Sequence, residues 1–168
     1  VELNPRDAWA IHAVAHSYEM QGRTTDGIGW LTEREDDWAR DNFFAVHNWW
    51  HLSLYHLDAD QPGQVLDIYD TRIRREPSTA MLDLLDASAL LWRLNLSQID
   101  TGERWVEVAD SWRRFADDRW YAFNDLHAMM GFAATGAADD AERLLVALAE
   151  VAAGATTNAR MAREVGLP

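Results

Sequence analysis

The sequence predicts an all-α chain of about four helix pairs followed by a terminal helix. Three observations carry that expectation. Apolar residues recur at helical spacing through the segments between turns, turn residues cut the 168-residue chain at regular intervals, and no segment sustains the period-two alternation of a strand.

Asn4-Pro5 marks the first helix, with Asn as cap and Pro as first helical residue, and Gly22 stops it, giving residues 5–21. Thr24 or Thr25 caps a second helix to about Trp38, with Ile28, Leu31 and Trp38 on its apolar side. Helices over about 41–57 and 62–75 follow, then 78–97 and 102–116, then 119–134 and 138–153, and a short one from about Thr157. The breaks are Asp60-Gln61-Pro62-Gly63, Glu76-Pro77-Ser78, Asp100-Thr101-Gly102 and Gly136. The longer helices therefore start near 5, 41, 78 and 119, roughly 36 to 41 residues apart, and each is followed by a partner. Their core should contain Trp9, Ile28, Leu31, Leu54, Leu85, Leu91, Trp105, Leu144 and Leu148, with Trp30, Trp49, Trp50, Trp92 and Trp112 also on packing faces.

Two turns compare in detail: Gly22 is followed five residues later by Gly27, and Gly136 by Ala141. A turn glycine with a small residue five positions on, where the helices of a pair cross closely, marks a tetratricopeptide-like repeat. The other two turns lack the pattern. The expectation is a degenerate tetratricopeptide-like right-handed helix-pair array, forming a single helical-repeat domain over residues 1–168.

Composition narrows the function classes. Apolar content of 48% excludes a disordered chain, and Asp83, Asp86, Arg93, Asn124, Asp125 and His127 interrupt the most apolar segments well short of the roughly 20 residues that span a bilayer. No membrane partner and a soluble, cytoplasmic, acidic protein are expected. A formal charge of −13 repels phosphate backbones, and the basic runs at Arg72–Arg75 and Arg113-Arg114 are too short to compensate, so nucleic acid is not an expected partner. Absence of cysteine removes disulfides and thiolate ligands. With no initiator Met before Val1 and a stop at Pro168 directly after a helical stretch, the chain is expected to be part of a longer protein.

All six histidines concentrate attention. His12/His16 and His47/His51 each stand at i, i+4, which puts both rings of a pair on one helix face about 6 Å apart. Taking Gly22 as the turn places Trp9, His12, His16, Glu19 and Met20 on the face lining a concave groove. His47, His51 and His127 then fall at similar depth, and Asn48, Tyr55, Asp86 and Asn124 join them as groove residues. Histidine at helical spacing also serves plain packing, with ring nitrogens satisfied by neighbours. Two pairs at one depth point further, to a divalent ion such as zinc on His12, His16, His47 and His51, with Glu19 or Asp58 as an oxygen ligand. Asn48, Asp86 and Asp125 offer acceptors that would fix ring tautomers. No zincin, di-iron, nucleophile-elbow or phosphate-loop pattern occurs, so no catalytic residue is named.

Several strings resemble the tetratricopeptide repeat protein 38-like family: Asn4-Pro5-Arg6-Asp7-Ala8-Trp9 through His16, Glu19-Met20-Gln21-Gly22-Arg23, His47-Asn48-Trp49-Trp50-His51-Leu52, Tyr55-His56-Leu57-Asp58, Leu84 through Leu94, and Ala122-Phe123-Asn124-Asp125 with His127-Ala128-Met129-Met130. The resemblance spans nearly the whole chain. It implies a helical-repeat fold in a longer protein, and brings no reaction or catalytic residue with it. The function expected first is a scaffold whose His- and Trp-rich groove binds a peptide, protein segment or small ligand, homo-oligomerisation being left open. The alternative is a metal-binding protein or metal-dependent enzyme using the histidines.

Overall fold

The computed structural model describes residues 3–78 and 80–167. Among them the protein is all-α, without a strand, and no helix is long and apolar enough to cross a membrane. The chain divides after Ser78 into two compact units.

The first unit contains α1 (Ala8–Met20), α2 (Thr24–Glu33), α3 (Glu35–Trp38), α4 (Ala45–Asp58) and α5 (Pro62–Ile68), the last running into a π turn at Tyr69–Ile73. α2 packs against α1 and α4, and α5 against α4, around Ile11, Ala15, Leu31, Trp38, Tyr55 and Val65. The second unit contains α6 (Met81–Leu96), α7 (Arg104–Trp112), α8 (Ala122–Thr135), α9 (Ala138–Ala152) and α10 (Thr157–Met161), closed by a π turn at Ala162–Gly166. Here α7 packs on α6 and α8, and α8 on α9, with Leu84, Val108, Trp112, Phe132, Leu144 and Leu148 buried.

One turn recurs through both units. The residues at Gly22, Asp60, Gln98 and Gly136 all have left-handed φ, between 56° and 66°, and each stands 38 residues after the one before. At each, the next N–H reaches back five residues: Arg23 to Tyr18 O, Gln61 to His56 O, Ile99 to Leu94 O and Ala137 to Phe132 O, all at 2.9–3.0 Å. These are Schellman closures, which satisfy the last carbonyls of α1, α4, α6 and α8 and reverse the chain into the next helix. The repeat is therefore longer than the 34 residues usual for tetratricopeptide units. The two turns that lack glycine use the same geometry, with Asp60 and Gln98 holding a conformation that costs an L-residue roughly 1–2 kcal/mol.

The helix boundaries depart from expectation in explicable ways. Asp7, not Asn4, caps α1: its carboxylate accepts the Ala10 N–H at 3.1 Å, while Asn4 Oδ1 accepts from Arg6 N in a preceding turn. No threonine caps α2, whose N-terminus has no side-chain cap. The second helix is broken at Arg34, where the Trp38 indole donates to the Leu31 carbonyl at 2.9 Å. Of the expected core, Leu31, Leu54, Leu91, Trp105, Leu144 and Leu148 are buried, Ile28 and Leu85 are half-buried, and Trp9 is 59% exposed because its ring stacks on Phe44 at the surface.

Gly27 is small for a reason that differs from the expected one. A Cβ there would stand 2.3 Å from the ring of Tyr55, which belongs to α4 and not to the paired helix α1. Tyr55 also donates its hydroxyl to the Ala15 carbonyl, so one buried side chain ties α4 to both α1 and α2.

Two stability changes follow. Gly27→Ala should destabilise the protein by about 1–3 kcal/mol through overpacking against the Tyr55 ring. Asp60→Gly and Gln98→Gly should each gain about 0.5–1 kcal/mol, the left-handed strain outweighing the added chain entropy of glycine. Urea unfolding of the three variants beside the parent checks both signs.

Candidate metal centre

The helical period sets the site. In α1 the i, i+4 spacing puts His12 and His16 on one face, and in α4 it does the same for His47 and His51. α1 packs directly on α4, and the four rings meet there. Their centroids lie 4.4 Å apart for His12–His16, 4.9 Å for His12–His47, 4.8 Å for His12–His51, 4.5 Å for His16–His51 and 4.8 Å for His47–His51. One ligand nitrogen from each falls within 4.8 Å of all the others, the one such group of three or more His, Asp or Glu among the described residues. The closest approach is His12 Nε2 to His51 Nε2, at 3.0 Å.

Glu19 fixes the tautomer of the deepest ring. His51 is buried, and its Nδ1–H donates to Glu19 Oε2 at 3.1 Å, leaving Nε2 with a lone pair toward the cluster. His12 is then the donor in the Nε2–Nε2 contact. The same carboxylate oxygen stands 3.8 Å from His16 Nδ1. The Glu19 carboxylate thus stands behind the His51 ring, the position from which a carboxylate orients an imidazole and raises its basicity.

Burial keeps His12 and His51 neutral. Desolvation first, then repulsion from His16 and His47, lowers the His12 pKa to about 4. Burial, then His47, His16 and His12, lowers that of His51 to about 2. An imidazole that stays unprotonated at neutral pH is the form that binds a metal.

Aromatic rings flank the cluster, among them Phe44, which the sequence did not single out. Phe44 is buried with its ring 4.7 Å from His12 and 4.8 Å from His47, and Trp50 stacks nearly parallel to His47 at 5.4 Å. The signal for Phe44 lay in the spacing, since this residue, the cap of α4, precedes His47 by three residues.

The remaining expected groove residues lie elsewhere or play other parts. Trp9 is on the rim, edge-on to His12 at 6.1 Å. Tyr55 and Asn48 are buried and line no open groove, Tyr55 because its ring fills the space over Gly27. Asp58 is exposed, and His56 Nδ1 pairs with Gln61 Oε1 at 2.7 Å beside the Asp60 turn. Asp86, Asn124 and His127 belong to the second unit. There Asp86 and His127 are buried, and Asn124 half-buried. His127 Nδ1 donates to the Phe123 carbonyl at 2.8 Å, its ring lies 4.5 Å from that of Phe123, and burial lowers its pKa. That is the packing role that histidine at helical spacing often has.

No known family model matches the chain, and no solved structure matches it.

The pKa shifts set a pH dependence for chelator-treated protein. Unfolded, His12 and His51 titrate near 6.5; folded, they titrate near 4 and 2. Below about pH 6.5 the unfolded chain therefore binds more protons than the folded one, and stability falls as pH falls. Urea midpoints should drop from pH 7 to pH 5, and His51→Gln should flatten that drop. Equal slopes for parent and variant would remove the buried imidazole as its source.

Proposed function

We propose that this chain is a metal-binding helical-repeat protein, taking one divalent ion, zinc foremost, on His12, His16, His47 and His51. The observation that carries the reading is the convergence of four imidazole nitrogens within 4.8 Å from two packed helices. A tetrahedral zinc ion with bonds of about 2.0–2.1 Å separates its ligands by roughly 3.3 Å. His12 and His51 stand near that spacing already, and the widest pair would close by about 1.5 Å. Four neutral nitrogen donors suit zinc, copper or nickel and not the oxygen-seeking calcium or magnesium. With Glu19 the only carboxylate on the set among the described residues, the ion would keep a net positive charge in an otherwise strongly acidic chain.

The ligands differ in access. His51 lies at the bottom, while the His16 side chain is half exposed, so the ion enters and leaves past His16. The resemblance to the tetratricopeptide repeat protein 38-like family brings no reaction to this site. The scaffold reading retains one supporting observation: Trp9 and Phe43 are exposed beside the cluster, with ring centroids 6.3 Å apart. They would give a bound peptide an apolar contact next to the ion.

Chelator-treated protein titrated with zinc should take up one equivalent and gain about 2.7 kcal/mol of unfolding stability at a hundredfold excess over Kd. Cobalt substitution should give the intense visible bands of four-coordinate geometry. Glu19→Gln should weaken binding about 10- to 100-fold through the His51 ring. His51→Ala should weaken it more, and His16→Ala less than His51→Ala because water can take the exposed position. Absence of metal uptake, or uptake indifferent to His12→Ala and His51→Ala, would defeat the reading.

A further inference from the structure

The second unit has a cavity of about 240 Å³ whose chemistry differs from that of the histidine cluster. Trp112, at the end of α7, is buried and its indole N–H is held by Ser88 Oγ at 2.8 Å, so its ring is fixed. Phe115 lies beside it, with centroids 6.2 Å apart and the rings edge to face. Trp120 and Tyr121, on the loop before α8, complete the aromatic lining while remaining 80% and 56% exposed. Two exposed aromatic rings at the mouth of a cavity leave apolar area uncovered by the unit's own fold.

The same lining carries two carboxylates. Asp125 is buried in α8, and among the described residues nothing donates a hydrogen bond to its side chain; Asp118 is exposed at the rim. A buried carboxylate without a donor is costly unless a positive group approaches it. Arg119 is paired with Glu150, and Arg113 with Asp110 and Asp140. The chain has no lysine to fill the place. Burial, with repulsion from Asp118 added, pushes the Asp125 carboxyl up to about 6, as expected for an acid that lacks its counter-charge.

Aromatic faces with a nearby acid form the environment that selects an alkylated ammonium ion. Ring quadrupoles attract the diffuse charge, methyl groups pack on the rings, and the carboxylate neutralises the whole. A metal ion would need several oxygen ligands and would gain nothing from the rings. We infer that this cavity binds a quaternary or methylated ammonium head group between Trp112, Phe115, Trp120 and Tyr121, with Asp125 and Asp118 as its counter-charges. The head group is small enough for the cavity, and its remaining part would leave past Trp120.

Choline and its uncharged isostere 3,3-dimethylbutan-1-ol separate charge recognition from simple apolar filling, because they differ by one atom. In ligand-observed NMR titrations of the nine-proton methyl signal, at constant ionic strength, choline should bind at least about tenfold more tightly than the alcohol. Trp120→Ala, at an exposed loop position, and Asp125→Asn should each remove most of that preference while circular dichroism shows the helices intact. A trimethyllysine peptide binding more tightly than choline would support a protein side chain as the source of the head group; the reverse order would support a free small molecule. Equal binding of choline and the alcohol, or a choline affinity unchanged in both variants, would overturn the assignment.

Discussion

The left-handed residue that ends α1, α4, α6 and α8 is the constraint on which the rest of the molecule depends. Each of these four helices stops because one residue takes positive φ and the following N–H turns back to a carbonyl five residues earlier. That closure fixes where the next helix starts and which of its faces looks back. Since the closures fall every 38 residues, the distance of a side chain from its turn gives its height in the unit. His12 and His51 stand ten and nine residues before their turns, and so arrive side by side.

Desolvation then decides what those histidines are. In water, four imidazoles near one another would repel as they took up protons. Enclosed by Phe44 and Trp50, and with His51 tied to Glu19, His12 and His51 stay neutral, and one ring nitrogen of each of the four faces one region. The second unit shows the opposite electrostatic problem at Asp125, where burial strands an acid among aromatic rings. On the two proposals, the first unit would take a cation of high charge density and the second a diffuse one.

Much of this was legible in the sequence, and the gaps have physical causes. The all-α architecture, the order of the helices and the facing of His12, His16, His47 and His51 follow from periodicity and turn spacing. The regular repeat was hidden because Asp60 and Gln98 hold the left-handed turn, and glutamine carries no turn signal of its own. Trp9 could be read as core or groove from its helical phase, and stacking on Phe44 brought it outside. Glu19 was visible as a polar neighbour of the cluster, but whether it would ligate or support depends on a 3.1 Å contact across two helices. Tyr55 and Asn48 share a polar character with true groove residues, and only packing shows that they point inward. The cavity around Trp120 draws on α6, α7, α8 and a loop, so no single periodic pattern announced it.

Tyr55 lies one helical turn beyond His51, and the carbonyl that accepts its hydroxyl belongs to Ala15, next to His16. The separation of α1 from α4 is thus set, at the height of the histidines, by a hydrogen bond and a ring seated over Gly27. In a zinc finger the ion creates the fold, and chelators unfold it. Here the packing of α1 on α4 already gathers the four imidazoles, so the entropy of bringing them together is lost during folding. An ion bound as proposed would therefore leave to a stronger acceptor without taking the fold with it.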